Sequence, residues 1–348
     1  MGAFYEEHYK GVEYTPVDYA TLDGLREKLL ALVNGGGSGE PELHAVRIGF
    51  NDWPEGGGQG TGARWMIENG VKGAVCVPTY VGTDAKSLDY RAAQDAGIDV
   101  WLNVRYSWSV DKGGQGTLPP VAQEQSFIAA AIQTIVNAKG IAGATVSNEA
   151  NNPREWPHDR ALIPADVVRV YDEIRAGVSG RVMTAPGAVD PFYGPGSDNG
   201  AWFRNVWNAI AGAEFVDVHG YIRGPDAGLC QSTARFGDDP LRWQFLNYWG
   251  CCRTLLEAVP ERYGTLPVLV SEFNHLWRTV EPDYGWVSDV RAGAVVRAAV
   301  DAAETWNETG GRNPVRWLCL YRWSGDEWAV EHNTEVRAAV LAVEDRTG

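Results

Sequence analysis

Short apolar runs alternate with longer amphipathic segments along most of this 348-residue chain. Eight of the runs are rich in Val and other strand-forming residues, as expected of strands covered on both faces. These runs lie at 44–50, 73–80, 99–106, 141–147, 181–186, 215–221, 267–273 and 315–321. Segments with helical spacing follow them at 59–69, 87–96, 121–138, 165–176, 201–211, 241–258, 289–306 and 334–344. Eight uninterrupted βα units predict a protein of the α/β class with a (β/α)8 (TIM) barrel.

The main alternative architecture is a doubly wound open sheet, which usually carries a Gly-rich phosphate loop after its first strand. Here the segment after the first predicted strand reads NDWPEGGG, at 51–58. Its glycines match neither the GxGxxG nor the P-loop spacing. The barrel is therefore favoured.

Residues 1–40 lie outside the βα series. Apolar residues at helical spacing over 17–33 predict a helix that packs on the barrel, and the Gly-rich stretch 34–39 resembles a linker. We therefore divide the chain into an N-terminal helical extension, 1–40, and a catalytic barrel, 41–348. The first residues lack the basic and apolar regions of a signal peptide, so an extracellular location would require a leader that has been removed.

Charge and composition narrow the class of ligand. The chain has 45 acidic and 30 basic residues, a formal net charge of −15, and no basic cluster, which disfavours nucleic acid and anionic membranes as partners. No apolar run is long enough to span a membrane. The 15 Trp residues favour sugars, because indole rings match the C–H faces of sugar rings. We expect a monomer that binds an oligo- or polysaccharide.

The five Cys residues form no CxxC pair. Cys76 and Cys319 lie in apolar predicted strands, where we expect buried free thiols. A disulfide from Cys230 to Cys251 or to Cys252 is compatible with the sequence, which leaves the pairing open.

Two glutamates stand at the ends of apolar predicted strands. Glu149 follows the fourth strand, in ATVSNEANN, and Glu272 lies at the end of the seventh, in VLVSEFNH. Because a (β/α)8 barrel collects the carboxyl ends of its strands at one mouth, we expect both side chains there. Glycoside hydrolysis needs two facing carboxyls: one protonates the leaving oxygen, and the other attacks an oxocarbenium-like centre. A separation of about 5 Å gives retention, whereas roughly 6.5–9.5 Å gives inversion.

These motifs resemble those of clan A, the retaining (β/α)8-barrel glycoside hydrolases, over about 43–345. Asn148-Glu149 after the fourth strand and Glu272 at the end of the seventh match the clan's acid/base and nucleophile motifs. The sixth strand, DVHGYIRG, is similar to the His-x-Tyr of the cellulase–mannanase family. The resemblance implies that Glu149 is the acid/base, that Glu272 is the nucleophile, and that Asn148 binds the sugar 2-hydroxyl.

The resemblance also implies supporting roles. Tyr221 would donate a hydrogen bond to Glu272, His219 would line the cleavage subsite, and Trp323, after the eighth strand, would form a platform beneath the sugar. The clan's early-strand Arg, which pairs with the nucleophile, has two candidates here, one in the first strand and one in the third. These candidates are Arg47 and Arg105. One departure is Ala150, where the family usually has Pro after Asn-Glu.

Polar and aromatic residues after other strands complete the predicted substrate contacts. These are Trp108, Asn274 and Trp277. Trp residues on several loops favour an open cleft, so we expect endo-acting cleavage of β-linked glycans with retention. We expect the reaction to need no metal or other cofactor.

Three other functions compete with this interpretation. A non-catalytic carbohydrate-binding barrel would not need both glutamates. A metal-dependent barrel hydrolase could use His219, His275 and Asp217, but the first strand lacks the HxH pair such enzymes use. Phosphate chemistry is disfavoured because the loops after the seventh and eighth strands lack a Gly-rich cradle.

Overall fold

The computed structural model describes residues 45–52, 60–110, 113–191, 199–231, 252–276, 285–310, 312–325 and 328–347. The predicted N-terminal extension, 1–40, lies outside these residues. Among the residues described, no helix combines the length and the apolarity needed to cross a membrane.

Eight parallel strands form one sheet in this part of the chain. They are β1 (Arg47–Asn51), β2 (Ala74–Tyr80), β3 (Asp99–Arg105), β4 (Gly143–Val146), β5 (Met183–Pro186), β6 (Val216–Arg223), β7 (Val268–Leu276) and β8 (Val315–Leu320). Their order is β5-β4-β3-β2-β1-β8-β7-β6, so β8 pairs with β1. This curled sheet confirms the predicted (β/α)8 fold, because neighbours in the chain lie side by side and the last strand returns to the first.

Strands β5 and β6, at the two ends of this order, are joined by side chains. Before β6, Glu214 donates its backbone N–H to the carbonyl of Thr184 at 2.9 Å. The Glu214 carboxylate accepts the Thr184 N–H, also at 2.9 Å. Towards the carboxyl ends, the Asp217 carboxylate accepts the N–H of Ala188 at 3.2 Å. Glu214, which is half-buried, and Asp217, which is fully buried, therefore bridge this seam, one at the start of β5 and the other just beyond its end.

A helix follows each strand. The helices are α1 (Thr61–Glu68), α2 (Arg91–Asp95), α3 (Glu124–Asn137), α4 (Pro164–Val178), α5 (Asn199–Ala209), α6 (Cys252–Ala258), α7 (Val290–Glu308) and α8 (Thr334–Thr347). Local sequence explains several of their starts. Pro164 opens α4, where Pro is favoured because the first N–H has no helical partner. The Asp289 side chain caps α7 by accepting the N–H of Arg291. Of the helix predicted at 241–258, residues 241–251 are outside the described part.

Aromatic side chains fill the amino-terminal end of the barrel. The ring of Trp101 lies 4.6 Å from that of Phe215 and 4.5 Å from that of Trp317, measured between centroids. The Trp317 indole N–H donates to Asp99 at 2.7 Å. Interior side chains fill small barrels in this way, so this end is a packed core and function is expected at the opposite end.

The four cysteines in the described residues, Cys76, Cys230, Cys252 and Cys319, are buried free thiols. This confirms the prediction for Cys76 and Cys319. It also shows that Cys230 does not pair with Cys252, while Cys251 is outside the described residues.

Candidate active site

The backbone after β4 carries Glu149 over the carboxyl end of the barrel. Ser147 and Glu149 both adopt positive φ angles, of 76° and 46°, which non-glycine residues rarely do and which cost free energy. Two hydrogen bonds hold this conformation. Glu149 donates its N–H to the carbonyl of Ala188 at 2.8 Å, and its carbonyl accepts the N–H of Asn152 at 2.7 Å.

Glu272 reaches the same mouth from β7. The predicted strand ended at 273, whereas β7 continues to Leu276. The pairing register of β7 with β8 shifts between Val270 and Phe273, and that of β6 with β7 shifts between Val218 and His219. Such irregularities redirect side chains and are common beside active sites. Here they bring Glu272 into register with His219.

His219 lies between the two glutamates. Its Nδ1 is 2.7 Å from Oε1 of Glu149 and 3.6 Å from Oε2 of Glu272. One ring nitrogen of His219 and one carboxyl oxygen of each glutamate lie within 4.8 Å of one another. The two carboxyls therefore face each other across one small space, although their residues are far apart in the chain.

Two donors surround the carboxylate of Glu272. The hydroxyl of Tyr221 donates to Oε2 at 2.7 Å, and Nη2 of Arg105 lies 3.4 Å from Oε1. Arg105 is itself oriented by Asn103, whose Oδ1 accepts its Nε–H at 2.6 Å. Burial, followed by the charge of Glu272, raises the pKa of Tyr221 well above its ordinary value, so the phenol keeps its proton. Both contacts place hydrogen-bond donors against the oxygens of Glu272.

Glu149 has the opposite environment. Burial, followed by the negative charge of Glu272, raises the pKa of Glu149 to about 8, against a smaller lowering effect of Arg105. Glu149 thus keeps its proton near pH 7 and faces the carboxyl group of Glu272, which accepts hydrogen bonds from Tyr221 and Arg105; this pairing lets one group donate a proton while the other attacks.

Asn148 lies directly beside Glu149 and is almost fully buried. Its backbone N–H donates to Oγ1 of Thr117 at 2.6 Å, which fixes the residue on the loop after β3. No protein atom of the described residues hydrogen-bonds to its Oδ1. A ligand hydroxyl that reaches this oxygen would satisfy it.

Aromatic side chains lie at or just after the carboxyl ends of β2, β3 and β8. Trp108 is 39 % exposed and stacks on Tyr80, with centroids 4.7 Å and planes 11° apart. The guanidinium of Arg105 lies 5.9 Å from the Tyr80 centroid, which links this stack to Glu272. On the β8 side, Tyr321 is half-buried, and its carbonyl accepts the indole N–H of Trp286 at 2.8 Å.

Three predicted site residues lie elsewhere. Of the two candidates for the partner of the nucleophile, Arg47 is at the amino-terminal end of β1, where it binds Asp99, whereas Arg105 lies beside Glu272. The predicted platform Trp323 is only 4 % exposed, because it packs against Phe50 and Trp65. Asn274 is fully buried, and its amide donates to the carbonyl of Tyr321 at 2.7 Å, so it orients the end of β8.

Two further predictions concern histidines. His219 is fully buried and contacts both carboxyls through Nδ1, so its place in the cleavage subsite stays a prediction. His275 does not join it: its Nε2 accepts the N–H of Val287 at 3.3 Å, and its ring packs on Trp286. The set of His219, His275 and Asp217, which the competing metal-dependent alternative would use, is therefore not assembled. Trp277 is outside the described residues.

Sequence reasoning missed the residues that support Glu149 from β5. Asp190, four residues after β5, accepts the side-chain N–H of Asn152 at 2.8 Å, and its backbone N–H donates to Asn151 at 2.7 Å. Gly187 lets this loop lie close, since a Cβ there would be 2.0 Å from the carbonyl oxygen of Ser147. The only signal in the sequence was the position of Asp190 shortly after a predicted strand, which many surface loops share.

Glycoside hydrolases are among the solved structures that this chain resembles. A broad-specificity endoglucanase of family 5 from an uncultured bacterium has a TM-score of 0.52 at 10 % identity, over 91 % of this chain and all of that chain. A 4-O-α-L-rhamnosyl-β-D-glucuronidase from Fusarium oxysporum 12S has a TM-score of 0.53 at 11 % identity, over 88 % and 72 % of the two chains. An α-L-arabinofuranosidase from Thermotoga maritima has a TM-score of 0.50 at 10 % identity, over 88 % and 70 %.

No protein-family model matches the sequence, and no curated protein sequence matches it either. At these identities the similar structures establish the fold alone. This chain therefore shares the (β/α)8 barrel of the clan A glycoside hydrolases.

Proposed function

We propose that this protein is a glycoside hydrolase that cleaves β-linked glycans with retention of configuration. The observation that carries the proposal is the pair of carboxyls at one barrel mouth with opposite environments. Glu272 accepts hydrogen bonds from Tyr221 and Arg105, whereas the pKa of Glu149 is raised to about 8. These are the requirements for a nucleophile and an acid, respectively.

In the first step, the Glu272 carboxylate attacks the anomeric carbon as the bond to the leaving oxygen breaks. Glu149 gives its proton to that oxygen, so the leaving group departs as a neutral alcohol. The covalent intermediate removes the negative charge of Glu272, which was the second cause of the high pKa of Glu149. Glu149 can then act as a base: it takes a proton from water, the water oxygen attacks the anomeric carbon, and Glu272 is released as a carboxylate.

The spacing of the carboxyls favours retention over inversion. A carboxyl oxygen of Glu149 and a carboxyl oxygen of Glu272 lie within 4.8 Å of each other. Inverting enzymes hold their carboxyls about 6.5–9.5 Å apart so that a water molecule fits between the second carboxyl and the sugar. The shorter spacing supports direct attack by Glu272.

Two observations support an extended sugar substrate. The barrel is shared with an endoglucanase and with a glucuronidase crystallised with a disaccharide. In addition, the exposed face of Trp108 lies on the stack with Tyr80, next to Arg105 rather than directly at the carboxyls. A sugar ring bound there would be a neighbour of the ring being cleaved, as an endo-acting enzyme requires.

The variant Glu272→Gln tests the proposal. It keeps the size of the side chain but removes the nucleophile, so turnover of aryl β-glycosides should be abolished while the melting temperature stays near that of wild type. The control Glu257→Gln, on the outer surface of α6, should retain full activity. Substantial activity in Glu272→Gln would refute the assignment, and sugar binding without wild-type turnover would indicate a carbohydrate-binding barrel.

The variant Glu149→Ala tests the acid/base. With a good leaving group the glycosyl-enzyme still forms, and azide can attack it without a general base. Azide should therefore restore activity and give a β-glycosyl azide, observed by NMR. An α-linked azide, or no rescue, would contradict the retaining mechanism.

A metal-dependent hydrolase is the second candidate, because Glu149, His219 and Glu272 offer three donor atoms within 4.8 Å of one another. Nitrogen and carboxylate oxygens are common ligands of catalytic zinc. The two candidates differ in their response to a chelator. Under the two-carboxylate mechanism, EDTA leaves the rate unchanged, whereas loss of activity on EDTA and its return with Zn²⁺ would favour the metal enzyme.

A further inference from the structure

Asp217 is a fully buried carboxyl for which the proposed mechanism has no direct use. It lies on β6, two residues before His219, inside the barrel and below its mouth. Burying a carboxyl costs free energy unless hydrogen bonds compensate for the loss of water. An apolar residue could fill this interior position without that cost in free energy. The hydrogen bonds of Asp217 therefore indicate a role beyond packing.

One of these bonds leads directly to the catalytic loop. Oδ2 of Asp217 accepts the backbone N–H of Ala188 at 3.2 Å. The carbonyl of the same Ala188 accepts the N–H of Glu149 at 2.8 Å. A single residue, itself 1 % exposed, thus connects the Asp217 carboxylate to the backbone of the proposed acid/base.

The backbone of Glu149 needs such support. Its φ of 46° is an unfavourable conformation for a residue with a side chain. The segment 187–190, which we call the β5 loop, clasps this turn from one side: Ala188 binds Glu149, and Asp190 binds Asn151 and Asn152. The bond from Asp217 to Ala188 anchors the β5 loop to β6.

We propose that Asp217 is a positioning residue that holds the carboxyl of Glu149 in place for proton transfer, by anchoring the β5 loop through Ala188. The inference rests on the proposed function. Asp217 is fully buried, and its link to Glu149 runs through the peptide groups of Ala188. Its loss should therefore impair proton transfer by Glu149 while leaving attack by Glu272 largely intact.

Leaving-group dependence separates this role from a general loss of structure. A glycoside with a poor leaving group needs the proton from Glu149, whereas a dinitrophenyl glycoside departs without it. A displacement of about 1 Å can cost about 10²-fold in rate. For Asp217→Ala we expect kcat on alkyl or phenyl glycosides to fall about 10²-fold. The rate at which the dinitrophenyl glycoside forms the glycosyl-enzyme should fall only about a few-fold. With the dinitrophenyl glycoside, azide should accelerate turnover by this variant, because azide attacks the glycosyl-enzyme without a general base.

The conservative variant Asp217→Asn supplies a carbonyl oxygen of the same reach and can still accept the Ala188 N–H. It should restore kcat to within about threefold of wild type. The matched control is Glu214→Ala, since Glu214 joins β5 to β6 near the other end of the same seam. It should lower the melting temperature without changing the leaving-group dependence. If Asp217→Ala does not fold, Asp217→Ser replaces it in the test. The serine side chain is too short to reach the Ala188 N–H but keeps a polar group at this buried position.

Uniform loss on all leaving groups, absence of azide acceleration, or equal damage in Asp217→Asn would overturn the positioning role. So would wild-type kinetics in Asp217→Ala. These results differ from failure of the proposed function itself, which would appear as inactive wild-type protein or as a Glu149→Ala variant that azide does not rescue.

Discussion

Activity should fall as the pH rises through about 8, because Glu149 must carry a proton to protonate the leaving group. With a pKa of about 8, about 90 % of Glu149 is protonated at pH 7, whereas a carboxyl of ordinary pKa would be protonated in less than about 1 % of molecules. The environment of Glu149 thus raises the population of the competent acid about 300-fold at neutral pH.

The assay is the pH dependence of kcat/KM, which reports the pKa values of groups in the free enzyme. The substrate should have a poor leaving group, so that proton transfer limits the rate, and unfolding at high pH should be followed by circular dichroism. The control is Glu149→Ala with a dinitrophenyl glycoside, in which the fall near pH 8 should disappear.

Two results would refute this reasoning. A fall in activity centred below about pH 6 would mean that burial and the charge of Glu272 do not raise the pKa as the structure indicates. A fall near pH 8 that persists in Glu149→Ala would mean that another group controls this limb.

Three further predictions concern neighbouring groups. Tyr221→Phe removes a hydrogen bond to the Glu272 carboxylate. Because a hydrogen bond to a charged group contributes about 1.5–3 kcal/mol, kcat/KM should fall about 10–150-fold. An unchanged kcat/KM would show that this hydrogen bond does not contribute to catalysis. Trp108→Ala removes the exposed stacking face; KM should rise about 3–10-fold for long oligosaccharides but not for aryl monosaccharides, and equal effects on both would argue against a remote subsite. Burial, followed by the charge of Arg291, lowers the pKa of His275 to about 4. The unfolded chain binds this proton already below about pH 6.5. The free energy of unfolding should therefore decrease by up to about 3 kcal/mol as the pH falls from about 6.5 to 4. Urea unfolding of wild type and His275→Asn would measure this, and parallel pH profiles would contradict it.

Most of the fold follows from local sequence patterns. Each of the eight predicted strands overlaps an observed strand, because a Val-rich apolar run is a local feature that any covered parallel strand shows. The same pattern placed Glu149 and Glu272 together. Once eight βα units close into a barrel, residues at the carboxyl ends of different strands must share one mouth.

Strand ends were less predictable, and this decided the Arg partner of Glu272. The first predicted strand began at 44, whereas β1 begins at Arg47, so this side chain is at the closed end of the barrel. Arg105 is the last residue of β3 and points into the mouth. A difference of three residues moves a side chain by about 10 Å along a strand.

The aromatic platform depended on the course of the chain after β8. Past Leu320, the N–H of Trp323 bonds the carbonyl of Asn51, which turns the indole into the packing around Phe50. Tyr321, two residues earlier, is left half-buried. Strand alternation does not extend beyond the last paired residue, so sequence spacing could not choose between the two rings.

The sequence by itself determined the barrel, its eight units and the two glutamates at its mouth, since all of these follow from periodicity and strand order. Only the tertiary structure decided which groups tune those glutamates. His219 between the carboxyls, Arg105 beside Glu272, and the link from Asp217 through Ala188 to Glu149 join residues of different strands. Such contacts depend on register and on bulges, which arise only when distant parts of the chain pack together.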